Sequence, residues 1–188
     1  VFDGGTLLFP FSYIISDVLA EVYGFKQTWK VVIFGFLMIL FVNMNIMIIA
    51  FLPAESSWGL QQAYDSILMQ VPRITLGSAC GYLAGNYSNS VFLSLIKIKT
   101  KGKFLFLRTI GSTLIGELLD SFVFVAIAFF GLYDIKVLLI MALSNYAFKT
   151  AIEIVFTPIT YKVVAAVKQK EQLDTYDYDV NYNPFGLK

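Results

Sequence analysis

Three stretches of this chain place ionisable side chains at helical spacing among apolar neighbours. Asp17 and Glu21 stand four apart in "FPFSYIISDVLAEVYG" (9–24), on one face with Tyr13. Glu117 and Asp120 are three apart in "LIGELLDSF" (114–122), and Asn145, Lys149 and Glu153 recur every fourth residue in "NYAFKTAIE" (145–153). Residues three or four apart share a helix face, so each stretch offers one polar stripe. Carboxylates, an amide and an ammonium so arranged can exchange hydrogen bonds with a polar solute. They can also neutralise one another as an internal salt-bridge network, and both readings stay open.

Other chemistries are excluded by residue type. Histidine is absent and Cys80 is the single cysteine, which removes internal disulfides, most zinc sites and every His-dependent triad. Aspartates on separate stretches, Asp17 and Asp120, invite comparison with intramembrane aspartyl proteases. Those carry Gly-x-Gly-Asp, whereas "YIIS" and "GELL" precede the two aspartates here. No phosphate loop or metal constellation is present. The chain is read as a non-enzyme with no cofactor and no metal.

The elements that must position these stripes are membrane helices. Of 188 residues, 57% are hydrophobic and 14% charged, with mean hydropathy +0.71. Residues 31–52 carry no ionisable group, and at about 1.5 Å per residue they reach roughly 33 Å, enough to cross a hydrocarbon core of ~30 Å. Five spans are expected, at about 5–23, 31–52, 71–96, 104–131 and 136–165. Together they form an all-α polytopic bundle over 1–165, followed by a polar, mobile cytoplasmic tail over 166–188. Because residue 1 is Val, and because the orientation set by the lysines starts the first span outside, a sixth span is expected ahead of it. Pro53 ends the second span and Pro72 suits the first turn of the third. "PAESSWGLQQAYDS" (53–66) reads as an interfacial segment anchored by Trp58 and Tyr64.

Lysines set the orientation. Lys26 and Lys30 flank the first turn, "KIKTKGK" (97–103) fills the third, and Lys168 and Lys170 follow the last span. The alternate loops, 53–69 and 132–135, hold no Lys or Arg, with Lys136 the one exception beside them, so the lysine loops and the C-terminus are placed in the cytoplasm. Four ions near mid-bilayer, Glu117, Asp120, Lys149 and Glu153, would cost on the order of 10 kcal/mol facing lipid. They must point inward, where three polar stripes can enclose a polar cavity. Gly77, Gly81 and Gly85 form a small-residue packing face on the third span. Pro10 and Pro158 would bend or interrupt their spans.

Four segments, "FPFSYIISDVLAEVYG", "VPRITLGSACGYLAG", "RTIGSTLIGELLDSFVFVAIAFFG" and "NYAFKTAIEIVFTPITY", together resemble the queuosine precursor transporter family, also called the vitamin uptake transporter family. The resemblance runs from Gly5 to about Lys168. It implies a six-helix, multi-pass importer in the bacterial inner membrane, similar in size and topology to the substrate-binding subunits of energy-coupling-factor transporters. It also implies uptake of 7-cyano-7-deazaguanine or its 7-aminomethyl relative for tRNA modification. Matching motifs carry over Pro10, Asp17, Arg73, Gly116, Asp120, Phe124 and Lys149.

Such a ligand suits the residues. A deazaguanine presents N1–H and an exocyclic amine on one edge, which one carboxylate, Asp120 or Glu117, could accept; Asn145, Lys149 or Arg73 could donate to its carbonyl. Tyr13, Phe122 or Phe124 could wall the ring. Asp17 would pair with Arg73, Lys149 or a substrate amine, and Glu153 completes the expected set. The partners are then a small deazaguanine-like solute and membrane lipid, with no nucleic acid. Proton coupling, an ATPase coupling module, facilitated diffusion and a homo-oligomer all stay open. So do two alternatives, an importer of another purine-like or vitamin-like solute and a non-transporting membrane subunit.

Overall fold

A computed structural model describes residues 9–55, 57–68 and 71–184. Among these described residues six helices follow in order: α1 (Phe9–Tyr23), α2 (Phe25–Phe51), α3 (Gln61–Leu68), α4 (Val71–Lys99), α5 (Leu105–Phe129) and α6 (Ile135–Glu171). Positions 5–8 of the first expected span and the side chain of Pro10 lie outside the described residues. α2, α5 and α6 are each long and apolar enough to cross a bilayer. α4, at 29 residues, is as long but carries Asn86, Ser88, Asn89 and Ser90 at mid-length. Flanked by α1, α2 and α5, it does not need an apolar surface all round.

Burial is inverted relative to a water-soluble protein. Among the described residues, 23 buried side chains are polar or charged and 14 are hydrophobic. Phe34, Leu37, Phe41, Ile48 and Phe51 of α2 face outward instead. That polarity is stable only where the surrounding medium is hydrocarbon. α5 is the central helix, burying a wide stripe from Arg108 to Ala128 between α4 and α6. α6 stays helical through Pro158 and buries one narrow row, Leu138, Ala142, Asn145, Lys149, Glu153, Thr157, Thr160 and Val164.

The α4–α5 crossing depends on missing side chains. A Cβ on Gly77 would lie 3.1 Å from the Phe124 carbonyl oxygen, and one on Gly81 2.9 Å from that of Asp120. On Gly85 it would strike the Tyr13 hydroxyl and come within 2.7 Å of Asp120 Cβ. The expected packing face is present, and it brings α5 against α4 at the depth of Asp120.

Two boundaries differ from expectation. α2 begins at Phe25, six residues before the expected span, because Gly24 turns the chain in one residue at φ +81°. α6 continues past 165 to Glu171, since Lys168 and Lys170 in its last turn favour a helix C-terminus without adding hydropathy. Beyond it, the expected mobile tail is packed onto the bundle. Asp177 is buried and accepts hydrogen bonds from Phe25 N (2.9 Å) and Ser94 Oγ (2.7 Å). The tail's acids meet free donors at the start of α2 and on α4, which composition alone does not reveal. Tyr87 Oη donates to the Tyr182 carbonyl (2.6 Å) and Trp29 Nε1 to that of Pro184 (2.8 Å). The short α3, in the expected interfacial segment, packs its Tyr64 edge-on against Trp58 at 5.7 Å.

Gly85→Ala is expected to lower thermal stability in detergent by about 1–3 kcal/mol through overpacking. Gly59→Ala, whose added carbon meets nothing within 4 Å, should leave it unchanged.

Candidate functional site

Four helices turn polar side chains into a common interior. From α1, Asp17 accepts a hydrogen bond from Asn89 Nδ2 of α4 at 2.5 Å. From α5, Glu117 Oε2 accepts one from Thr150 Oγ1 of α6 at 2.7 Å, and Asp120 forms an ion pair with Lys149 of α6. Glu153 sits one turn further along α6. Asp17 and Glu117 each lie within electrostatic reach of Glu153, and Tyr13 within reach of Asp120, Glu117 and Asp17. Asp17, Glu117, Asp120, Lys149 and Glu153 are at most 4% exposed. The group therefore sets four carboxyls against one ammonium in a medium that penalises imbalance.

Hydrogen bonding here is incomplete. Among the described residues, no protein donor reaches Asp17 Oδ2, Glu117 Oε1 or Glu153 Oε2, all of them buried. The hydroxyls of Ser16, Ser90, Thr113 and Ser121 likewise have no partner among the described residues. Buried polar atoms in folded proteins are overwhelmingly paired, and each exception asks for a reason. The three carboxyl oxygens belong to the carboxyl cluster described above, where each retains capacity to accept.

The sequence-derived residues divide on this map. Tyr13, Asp17, Glu117, Asp120, Lys149 and Glu153 come together. Asn145 is buried one turn along α6 from Lys149, and Phe124 one turn along α5 from Asp120, where it joins the apolar cluster of Val125, Ala128, Leu138 and Ala142. Arg73 is not brought to the group. It is exposed and donates to the Ile127 (2.9 Å) and Phe130 carbonyls, closing the C-terminus of α5. Asp17 accordingly pairs with neither Arg73 nor Lys149; Asn89 takes that place. Phe122 lines a peripheral apolar crevice with Phe130 and Leu138 and walls nothing polar.

Glu21 also leaves the group, although it shares a helix face with Asp17. It is claimed by Arg108 Nε (2.6 Å), Arg108 Nη2 (2.7 Å) and Lys168 Nζ (2.6 Å). Asn89 and Thr150 were not among the expected residues. The signal for Asn89 was the polar run "NYSNS" (86–90) in a helix of membrane length, whereas a lone threonine such as Thr150 carries none.

A groove of about 390 Å³ between α2 and α4 is the alternative location. Its walls are Leu40, Met44, Met47, Ile48, Phe51 and Leu76, and the Asn43 amide is spent on Ile39 O at 2.7 Å. It offers a solute grease without orientation.

Removing one member of the buried Asp120–Lys149 pair strands the other. Lys149→Met should cost about 3–5 kcal/mol of stability. Adding Asp120→Asn should recover most of that loss in thermal unfolding; additive losses would show that the two are not coupled.

Comparison with known proteins agrees with this architecture. The family described as "Putative vitamin uptake transporter" matches residues 3–163. A protein of Bacillus subtilis (strain 168) named "Probable queuosine precursor transporter" is 30% identical over 172 residues, covering 89% of this chain and 74% of that relative. No solved structure matches. With the family match spanning most of its length, the chain belongs to the vitamin uptake transporter family.

Proposed function

We propose that this protein imports queuosine precursors, 7-cyano-7-deazaguanine and/or 7-aminomethyl-7-deazaguanine, across a bacterial inner membrane with its C-terminus in the cytoplasm. The observation that carries the reading is the set of carboxyl oxygens on Asp17, Glu117 and Glu153, buried and unmatched by any donor among the described residues. A deazaguanine is rich in what they lack. Its N1–H and exocyclic amine form a two-donor edge that Glu117, held by Thr150 through its other oxygen, is oriented to accept. Lys149 and Asn145 supply donors for the ring carbonyl, and Tyr13 an aromatic surface.

The surplus of carboxyl groups bears on which precursor is favoured. An aminomethyl substituent carries a cation, which Asp17 and Glu153 would receive beside the Asp120–Lys149 pair. A cyano substituent brings no cation to these carboxyls. The aminomethyl form is therefore the better match to this interior.

A non-transporting membrane subunit would use its buried ions to hold helices together. The Glu21 contacts fit that description, while the open oxygens of Asp17, Glu117 and Glu153 do not.

Cellular uptake of labelled deazaguanine tests the proposal. Glu117→Gln and Asp17→Asn should each reduce uptake at least about tenfold at unchanged membrane expression, as expected for the loss of a charge-assisted bond. Asp65→Asn on α3, remote from the interior, should not. Normal accumulation in both interior variants would overturn the assignment.

A further inference from the structure

We propose that the ionic junction at the tail-side end of the bundle is a closed gate and that the C-terminal tail is its bolt. This rests on the transport reading, since a gate needs a pathway. Each helix that lines the polar interior contributes one residue: Glu21 from α1, Lys97 from α4, Arg108 from α5 and Lys168 from α6. The tail adds a fifth, Asp174.

The geometry closes on Glu21. Besides the bonds from Arg108 and Lys168, Lys97 Nζ lies 3.6 Å from its carboxylate and donates to its backbone carbonyl at 2.5 Å. Lys97 and Lys168 each reach Asp174 at 2.7 Å, and Lys97 also donates to the Thr175 carbonyl at 2.7 Å. Glu21, Lys97 and Arg108 are at most 3% exposed, so the junction is solid across its middle. It lies one turn beyond Asp17, about 6 Å along α1, and nine residues from Glu117, about 13 Å along α5. A solute leaving the interior toward the tail must cross it.

Charge makes this closure conditional on the tail. With Asp174 docked, three cations on three helices face two carboxylates; without it, they face Glu21 alone. Repulsion then acts to separate the ends of α4, α5 and α6. Partial burial pushes the Asp174 carboxyl up, but hydrogen bonds from Lys168 and Lys97 outweigh it and hold it below the ordinary value, so it is ionised at neutral pH.

The tail is also the part made to release. Asp174 and Lys168 keep side-chain exposures of 45% and 22%, so water can replace their contact at small cost. Asp177, which caps α2, lies 2.7 Å from where a Cβ on Gly24 would sit, filling the notch at the α1–α2 turn. Thr175 N donates to the Val22 carbonyl at 3.1 Å, tying the tail to the end of α1. Undocking the tail frees that turn together with the ion pairs.

A reporter thiol tests this in the full chain. Thr113 is buried on α5 between Arg108 and Glu117, so Thr113→Cys in a Cys80→Ser background places a thiol just inside the junction. Its alkylation by a membrane-impermeant maleimide is timed in vesicles of both orientations. Ending the chain at Gln172, or introducing Asp177→Asn, should accelerate labelling from the tail side about tenfold or more, with no change from the other side. Unchanged labelling in folded variants would overturn the gate. Equal acceleration from both sides would do so too, because it reports general loosening. If the truncated chain does not fold, Asp177→Asn decides alone. Labelling needs no knowledge of the solute, so opening without any deazaguanine uptake would defeat the transport assignment and leave the closure standing.

Discussion

A carboxylate placed among lipid chains has nothing to bond to, and that penalty shapes this protein from its sequence outward. With Asp17, Glu21, Glu117, Asp120 and Glu153 on helices that cross hydrocarbon, only packing that turns every one of them inward is tolerable. α5 carries two of the five and buries its widest face, so it takes the centre. The glycines at 77, 81 and 85 let α4 approach it closely, and Asn89 of α4 donates to Asp17 of α1. α2 carries no acid and is left facing lipid along most of its length.

The inward-facing ions do not all have the same task. Around Glu21 every oxygen is used, by a guanidinium and an ammonium from other helices, and the result is a joint. Deeper in, Asp17, Glu117 and Glu153 each keep an oxygen that no group among the described residues serves. Stability alone would not retain such atoms, because an apolar side chain of similar size would be less costly there. The two groups are adjacent along α1, one turn apart, so occupancy of the inner group and the state of the joint can influence each other through a single short helix segment.

Much of this was legible in the residues. Apolar run lengths gave the helices, and the i, i+4 and i, i+3 spacing of ions gave α1, α5 and α6 their inward faces. The glycine repeat marked a packing face on α4, though not that α5 covers it. Other features depend on where remote segments meet. Asp17 and Glu21 look equivalent on a helical wheel, and only the approach of Arg108 and Lys168 separates them. Arg73 reads as a membrane-depth cation, yet it sits where the last carbonyls of α5 need donors. The tail has the composition of an unstructured segment, and its order comes from Asp177 finding the first amide of α2, 152 residues away in sequence.

Equilibrium binding to the purified, detergent-solubilised protein bears most directly on whether the open carboxyl oxygens form a ligand site. Saturable, stoichiometric binding of a 7-deazaguanine is expected. The aminomethyl form should bind more tightly than the cyano form, and both more tightly than an unrelated vitamin. Folded protein that binds no deazaguanine, or binds it equally well when Asp17 and Glu117 are replaced by their amides, would contradict the assignment.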